Sequence, residues 1–144
     1  MKTIDWYFDY VSAFAYFQLQ QFHQLPDDVA VRCKPVLFAG LLKNWATKGP
    51  AEVPSKRCFT YRHWQWLAKQ HSIPFKIPPA HPFNPLKALR LSLALDSQIE
   101  IIQAIFSFIW RDGRSIDDAD AWHGLNSELG FYPPTRHNIH IYGI

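Results

Sequence analysis

The chain has 144 residues, of which 48% are hydrophobic and 19% are charged, and its formal net charge is +3. This length suits one domain with a core of its own. No apolar run approaches the roughly 20 residues that span a bilayer, and residues 1–5 lack the apolar stretch of a signal peptide, so a cytoplasmic protein is the default expectation. The dispersed basic residues argue against a nucleic-acid groove and fit a pocket for a small anion better.

Residues 4–16 predict a strand that passes directly into a helix. Aromatic residues favourable to strands come first, and Ser12 marks the point where the strand gives way to the helix. Residues 29–36 alternate apolar and polar side chains and predict a second strand. Because strand, helix and strand follow within about 35 residues, we expect a right-handed βαβ unit with parallel strands.

A mostly helical block is predicted after the second strand. Residues 37–43 begin a helix, and residues 49–54 interrupt it with two prolines that favour an extended segment able to pair with an extended ligand. Residues 56–72 predict a further helix, with buried candidates Phe59, Trp66 and Leu67.

Two more helical regions complete the pattern. Asn84 is the expected N-cap of a helix over residues 86–95, with Pro85 at its first position. An apolar stripe that predicts core packing follows, ends at Gly113, and consists of Ile99, Ile102, Phe106 and Ile109. Asp117 is the expected cap of a last helix that reaches residues 129–130.

Cysteine and histidine spacing indicates neither a redox motif nor a metal site. Cys33 and Cys58 are far apart and predict reduced, separate thiols. His137 and His140 have an i, i+3 spacing, but no Cys, Asp or Glu stands nearby to complete a metal site. We therefore predict no metal.

Ser12 stands where backbone N–H groups and the positive end of a helix dipole converge on one small side chain. A thioredoxin-type oxidoreductase has the first cysteine of a C-x-x-C pair at this point, whereas this chain has Ser12 followed by Ala13, Phe14 and Ala15. One interpretation is simple N-capping, although Ala15 provides no capping box. The other is that the site holds a thiolate whose sulfur arrives with a cofactor.

Five stretches, in order along the chain, resemble the 2-hydroxychromene-2-carboxylate isomerases and the kappa-class glutathione transferases. These families belong to the DsbA-like branch of the thioredoxin superfamily, in which a helical domain follows the first βαβ unit. The matching stretches cover residues 5–16, 49–56, 73–75, 82–90 and 109–114. The resemblance implies an α/β fold with a thioredoxin-like βαβ unit over residues 1–37, a helical insertion over 38–130 and an irregular tail over 131–144.

The resemblance also implies a set of site residues. Ser12 would donate its hydroxyl to the glutathione thiolate as the catalytic residue, and the loop containing Glu52, Val53 and Pro54 would bind glutathione. Lys43 and Asn84 would contact the substrate, a small aromatic carboxylate or another electrophile. As a borrowed nucleophile, the thiolate would add to a conjugated double bond, which could then rotate before elimination.

Alternatives follow from the same residues. For the function, the first alternative is a kappa-like glutathione transferase. For the two substrate-contact candidates, the simple interpretations are structural: Lys43 is an exposed charge at the end of a helix, and Asn84 is an N-cap. The family's C-terminal ββα half has no counterpart in this sequence, so we expect an unpaired sheet edge and a half-built glutathione site. A non-catalytic remnant or binding protein is therefore the second alternative for the function, and a homodimer is one way to cover the edge.

Overall fold

The computed structural model describes residues 1–132. Strand β1 (Lys2–Phe8), helix α1 (Ala13–Gln20) and strand β2 (Val29–Pro35) form the N-terminal unit, with a short 3₁₀ turn, Phe22–Gln24, after α1. The two strands pair in parallel, with Lys2 opposite Val29 and Phe8 opposite Pro35. The predicted parallel βαβ unit is therefore confirmed.

Alternation along β1 decides which side of this small sheet faces the core. Trp6 and Phe8 are buried, whereas Tyr7 between them is exposed. Helix α1 covers the buried side with a run of residues that includes Tyr16 and Phe17. Successive side chains of a strand point to opposite faces, so two of the three consecutive aromatic rings, those of Trp6 and Phe8, enter the core.

The helical block consists of five helices with two short irregular helical segments. They are α2 (Phe38–Asn44), a 3₁₀ turn over Pro50–Glu52, α3 (Pro54–Gln70), α4 (Leu86–Ala94), α5 (Ile99–Phe106), a π-helical segment over Ser107–Arg111, and α6 (Ala119–Glu128). The expected α/β class, a βαβ unit followed by a helical block, is confirmed within residues 1–132. The division into domains at residues 37 and 130 stays a prediction, and most of the expected tail lies outside the described residues.

Phe106 joins the sheet to the helices at the centre of the core. Its ring centroid lies 4.6 Å from that of Tyr10 and 5.7 Å from that of Phe8. Ile102, Phe106 and Ile109 are all fully buried, as the apolar stripe predicts, whereas Ile99, the first member of the stripe, is exposed at the start of α5. The π-helical segment then widens the last turn of the stripe so that Trp110 also points into the core.

Three expectations about the helices need correction. Phe59 and Trp66 are exposed, because Trp64 lies on the inner face of α3 and its neighbours therefore face outward. Helix α4 begins at Leu86 as expected, but Pro85 and not Asn84 is its N-cap, and the Asn84 side chain accepts the N–H of Leu86 from outside the helix. Asp118, not Asp117, is the N-cap of α6, and its carboxylate accepts the N–H of Ala121.

The segment between Pro50 and Pro54 is not extended. It forms a 3₁₀ turn in which Glu52 donates its N–H to the carbonyl of Gly49, and Val53 donates to the carbonyl of Pro50. Val53 alone has an extended conformation, as the N-cap of α3. The N–H groups of Glu52 and Val53, which were expected to pair with a ligand, are therefore used within the turn.

Candidate functional site

A cavity of about 420 Å³ opens where β1 ends and α1 begins. Aromatic and aliphatic side chains form most of its wall, and no Cys, Lys or Arg from the described part of the chain, residues 1–132, lines it. The lining residues are Asp9, Val11, Ser12, Phe14, Phe38, Ala39, Leu42, Gly49, Pro50, Ala51, Glu52, Thr60, Trp64, His81, Pro82, Phe83 and Pro85. A volume of this order is typical of small-molecule sites.

Ser12 is the N-cap of α1. Its backbone is extended, and its hydroxyl oxygen accepts the N–H of Ala15 at 3.3 Å. The capping interpretation is therefore confirmed. A hydroxyl group has one proton to donate besides its lone pairs, and the cap uses a lone pair, so the Ser12 proton is available to an acceptor in the cavity.

The first turn of α1 adds further donors. The N–H groups of Ala13 and Phe14 have no acceptor within residues 1–132, as expected for the first positions of a helix. Together with the helix dipole they give this end of α1 a positive potential. Capping and anion binding therefore use different parts of the same helix end and are compatible.

The loop that leads to Ser12 is held by ring N–H groups from the helical block. Trp110 donates its indole N–H to the carbonyl of Tyr10 at 2.8 Å. The next carbonyl, of Val11, lies 2.8 Å from Nε2 of His81. Both rings come from the chain beyond α3, so the helical block determines where the catalytic candidate of the βαβ unit lies.

Asp9, at the wall of the cavity, links the loop after β1 to the start of α2. One carboxylate oxygen accepts the N–H of Phe38 at 2.8 Å, at the start of α2, and the other accepts the N–H of Val11 at 3.2 Å. Burial raises the pKa of the Asp9 carboxyl, against the opposing effect of these N–H donors. Sequence analysis missed this residue, although an acidic residue after an aromatic strand was the available signal.

His81 was also missed, because it lies in an irregular stretch without periodicity. Its ring packs among Trp64, Trp110 and Tyr61, with centroid distances of 5.3, 5.4 and 5.5 Å. Burial lowers the pKa of His81, and the neighbouring Arg57 charge adds to the effect against the hydrogen bond to Val11. Burial therefore favours the neutral form of the ring.

The predicted site residues divide into two groups. Ser12 and Glu52 line the same cavity, and Glu52 accepts the N–H of Gly49 at 2.8 Å. Lys43 lies exposed in the last turn of α2, and Asn84 is exposed outside α4. Neither is among the cavity-lining residues, and the same holds for Val53 and Pro54.

The cysteines lie elsewhere. Cys33 is buried in β2 and Cys58 is exposed on α3, and both are free. Within residues 1–132, no group of three or more His, Cys, Asp or Glu side chains is placed to hold a metal ion. His137 and His140 lie outside the described residues. A thiol in the cavity would therefore have to come from another molecule.

The profile of the DSBA-like thioredoxin domain matches residues 3–133 of the chain. The chain belongs to the DSBA-like thioredoxin domain family. Among solved structures, this DSBA-like domain is similar to 2-hydroxychromene-2-carboxylate isomerase, with a TM-score of 0.71 and 17% sequence identity. The match covers 90% of this chain and 66% of the isomerase chain, so the DSBA-like domain spans just under two thirds of that protein.

The similarity to the isomerase confirms the fold that the residue pattern indicates. No curated protein sequence matches the DSBA-like domain significantly. None of the helices within residues 1–132 has both the length and the apolar character that crossing a bilayer requires.

Proposed function

We propose that this DSBA-like protein is a glutathione-dependent isomerase of the 2-hydroxychromene-2-carboxylate type, acting in aromatic-compound degradation. The observation that carries the proposal is the hydroxyl of Ser12, which caps α1 at the wall of a cavity without a cysteine. In thioredoxin-like redox proteins the chain provides the sulfur at this helix end. Here the sulfur would come from a small thiol compound, and glutathione is the abundant thiol of a reducing cytoplasm.

The residues present fit such a thiol. The Ser12 proton and the unpaired N–H groups of the first turn of α1 would stabilise a sulfur anion and lower its pKa. Glu52 retains acceptor capacity on its carboxylate after accepting the N–H of Gly49, and this suits the ammonium group of the glutamyl moiety. When bound, glutathione would supply the nucleophile that converts a conjugated double bond into one free to rotate.

The rest of the cavity suits a planar aromatic substrate. Phe14, Phe38, Trp64 and Phe83 are among its walls, and such rings bind another ring through stacked or edge-on contacts. Lys43, Asn84, Val53 and Pro54 stay proposals as contacts for substrate and glutathione, since they lie outside the lining. Association of two copies of the chain is likewise a proposal.

A kappa-like glutathione transferase is the second candidate. The specific observation in its favour is that no Lys or Arg among residues 1–132 lines the cavity, whereas a substrate carboxylate would call for a cation. An uncharged electrophile needs no such partner. The two candidates share Ser12 and glutathione and differ in the second substrate.

Calorimetry with reduced glutathione tests the shared part. We expect saturable heat with the wild-type chain, and ultraviolet absorbance of a thiolate that persists well below the pH at which free glutathione ionises. Ser12→Ala should abolish the low-pH thiolate, whereas Ser127→Ala, a serine whose hydroxyl bonds the His123 carbonyl within α6, should leave it intact. The absence of heat at millimolar glutathione would leave the non-catalytic binding protein as the surviving interpretation.

The second substrate then separates the enzymes. Conversion of 2-hydroxychromene-2-carboxylate to the trans-benzylidenepyruvate, with glutathione recovered unchanged, identifies the isomerase. Formation of glutathione conjugates from uncharged electrophiles without that conversion identifies the transferase. In the first case, Lys43→Met should raise the KM for the carboxylate if Lys43 contacts it.

A further inference from the structure

His81 binds the peptide unit that immediately precedes Ser12. Its Nε2 lies 2.8 Å from the carbonyl oxygen of Val11. A carbonyl oxygen can only accept, so Nε2 carries the proton. In a neutral ring Nδ1 is then the acceptor, and the Tyr61 hydroxyl lies 2.8 Å from it and 3.1 Å from the His81 carbonyl oxygen, so one proton is shared between the two acceptors. The contacts on both nitrogens therefore select one tautomer.

The held peptide unit is fixed at both of its polar ends. His81 holds the Val11 carbonyl, and the N–H of the same unit, from Ser12, donates to the carbonyl of Asp9 at 3.1 Å. A peptide unit is planar, so restraining its oxygen and its hydrogen determines its orientation. That orientation sets the direction in which the chain enters Ser12, and hence where the hydroxyl points.

We propose that His81, as the Nε2–H tautomer selected by Tyr61, is a positioning residue that aims the Ser12 hydroxyl at the sulfur of the bound thiol. This inference rests on the proposed function and adds the residue that orients its central group. His81 lines the cavity but uses both ring nitrogens in these contacts, so it acts through Ser12 and not on the reacting atoms.

The hydrogen bond from His81 to Val11 differs from the neighbouring hydrogen bond of Trp110 in what fixes its donor. The Trp110 indole is fully buried and donates to the carbonyl of Tyr10, one residue further from Ser12. An indole N–H can only donate, whereas an imidazole depends on its second nitrogen for the correct proton position. A separate residue, Tyr61, therefore supports the donating form of His81 by offering its hydroxyl proton to Nδ1.

Two substitutions with amide side chains, His81→Gln and His81→Asn, test the hydrogen bond to Val11 separately from the hydrogen bond to Tyr61. Gln places an amide N–H near the position of Nε2 and can still donate to the Val11 carbonyl. Asn is shorter, so it can accept from Tyr61 but does not reach Val11. We expect His81→Gln to keep glutathione affinity and the pKa of the bound thiol within a few-fold of wild type. For His81→Asn we expect affinity to fall by about tenfold or more.

Backbone readouts make the test independent of activity. Hydrogen exchange at the Ser12 and Ala15 amides should accelerate in His81→Asn and stay near wild type in His81→Gln. In Tyr61→Phe, the ¹⁵N chemical shifts of the His81 imidazole should show the second tautomer appearing. This measurement keeps His81 in place, so it still tests the proposal if the substitutions at position 81 prevent folding. Equal behaviour of the Gln and Asn variants, or an unchanged tautomer in Tyr61→Phe, would overturn the proposal.

The outcomes also distinguish this inference from the proposed function. If the wild-type chain binds no glutathione, the proposed function fails, while the exchange rates and ¹⁵N shifts still report whether His81 orients Ser12. If glutathione binds but the two variants behave alike, the function stands and the positioning role is wrong.

Discussion

Trp110 donates its indole N–H to the carbonyl oxygen of Tyr10 at 2.8 Å, and the two residues are 100 positions apart in the chain. Both are fully buried. Through this bond the π-helical segment near the end of the helical block holds the loop that leads from β1 to Ser12. The active-site candidate in the first fifteen residues therefore depends on a side chain from the last third of the described chain.

Trp110→Phe should lower the free energy of unfolding by at least about 1–3 kcal/mol, because it leaves a buried carbonyl without its donor. Lost packing adds to this cost. Trp66→Phe is the matched control, since Trp66 is 56% exposed and should change stability by less than about 0.5 kcal/mol. Urea denaturation of both variants provides the comparison. Equal stability of the two would show that the Tyr10 carbonyl finds another donor.

Ser12 variants should separate capping from sulfur binding. Ser12→Ala should cost about 1 kcal/mol of stability through the lost cap, whereas Ser12→Gly should cost only a few tenths. Both variants lack the hydroxyl, so both should raise the pKa of bound glutathione alike. Ser12→Thr keeps the oxygen and should preserve both properties. A thiol pKa that follows helix stability across the series would mean that the hydroxyl acts through the cap alone.

The pH dependence of stability should carry a contribution from Asp9. Burial raises its folded-state pKa above 3.8, so the folded state binds the proton more tightly than the unfolded chain does. The stability from this group is fully present below pH 3.8 and is lost as pH rises through the folded-state pKa.

Asp9→Asn removes this titration while keeping one acceptor oxygen. The free energy of unfolding of wild type minus that of the variant should therefore decrease as pH rises from 3.8. Urea denaturation across this range measures the difference. A constant difference would show that the N–H groups of Phe38 and Val11 cancel the effect of burial, and a difference that increases with pH would show that they outweigh it.

Gly113 and Gly124 should respond oppositely to alanine. Gly113 has φ of +65°, and a Cβ there would lie 2.8 Å from Cβ of Lys76, so Gly113→Ala should destabilise by about 1–2 kcal/mol or more. Gly124 lies in α6 with no atom within 4 Å of an added Cβ, so Gly124→Ala should stabilise by about 0.5–1 kcal/mol. Thermal unfolding of the two variants gives the sign directly.

Local patterns were sufficient for the elements and for Ser12. Strand-favouring aromatic residues predicted β1, and alternation predicted β2. The apolar stripe predicted the buried face of α5 except at Ile99, and serine at a strand-to-helix junction predicted a cap. These features depend on interactions between residues a few positions apart, which a sequence shows directly.

The exposed side of α3 illustrates where pattern analysis was wrong. Aromatic residues occupy several faces of this helix, so composition could not show which of them is inside. The buried member, Trp64, is selected by its contact with Trp110 at 5.5 Å between ring centroids, and Trp110 lies more than forty residues later. The assumed extended segment at residues 49–54 was wrong for a related reason, since Glu52 caps its own turn through the N–H of Gly49.

By itself, the sequence determined the parallel βαβ unit, the helical block and a polar cap without a cysteine at the start of α1, because short-range periodicity and capping chemistry fix these features. The tertiary structure alone decided that Asp9, His81 and Trp110 hold the loop before Ser12. It also placed Glu52, and not Lys43, at the cavity wall. The physical reason is that buried backbone carbonyls must find donors, and folding brings those donors from distant parts of the chain.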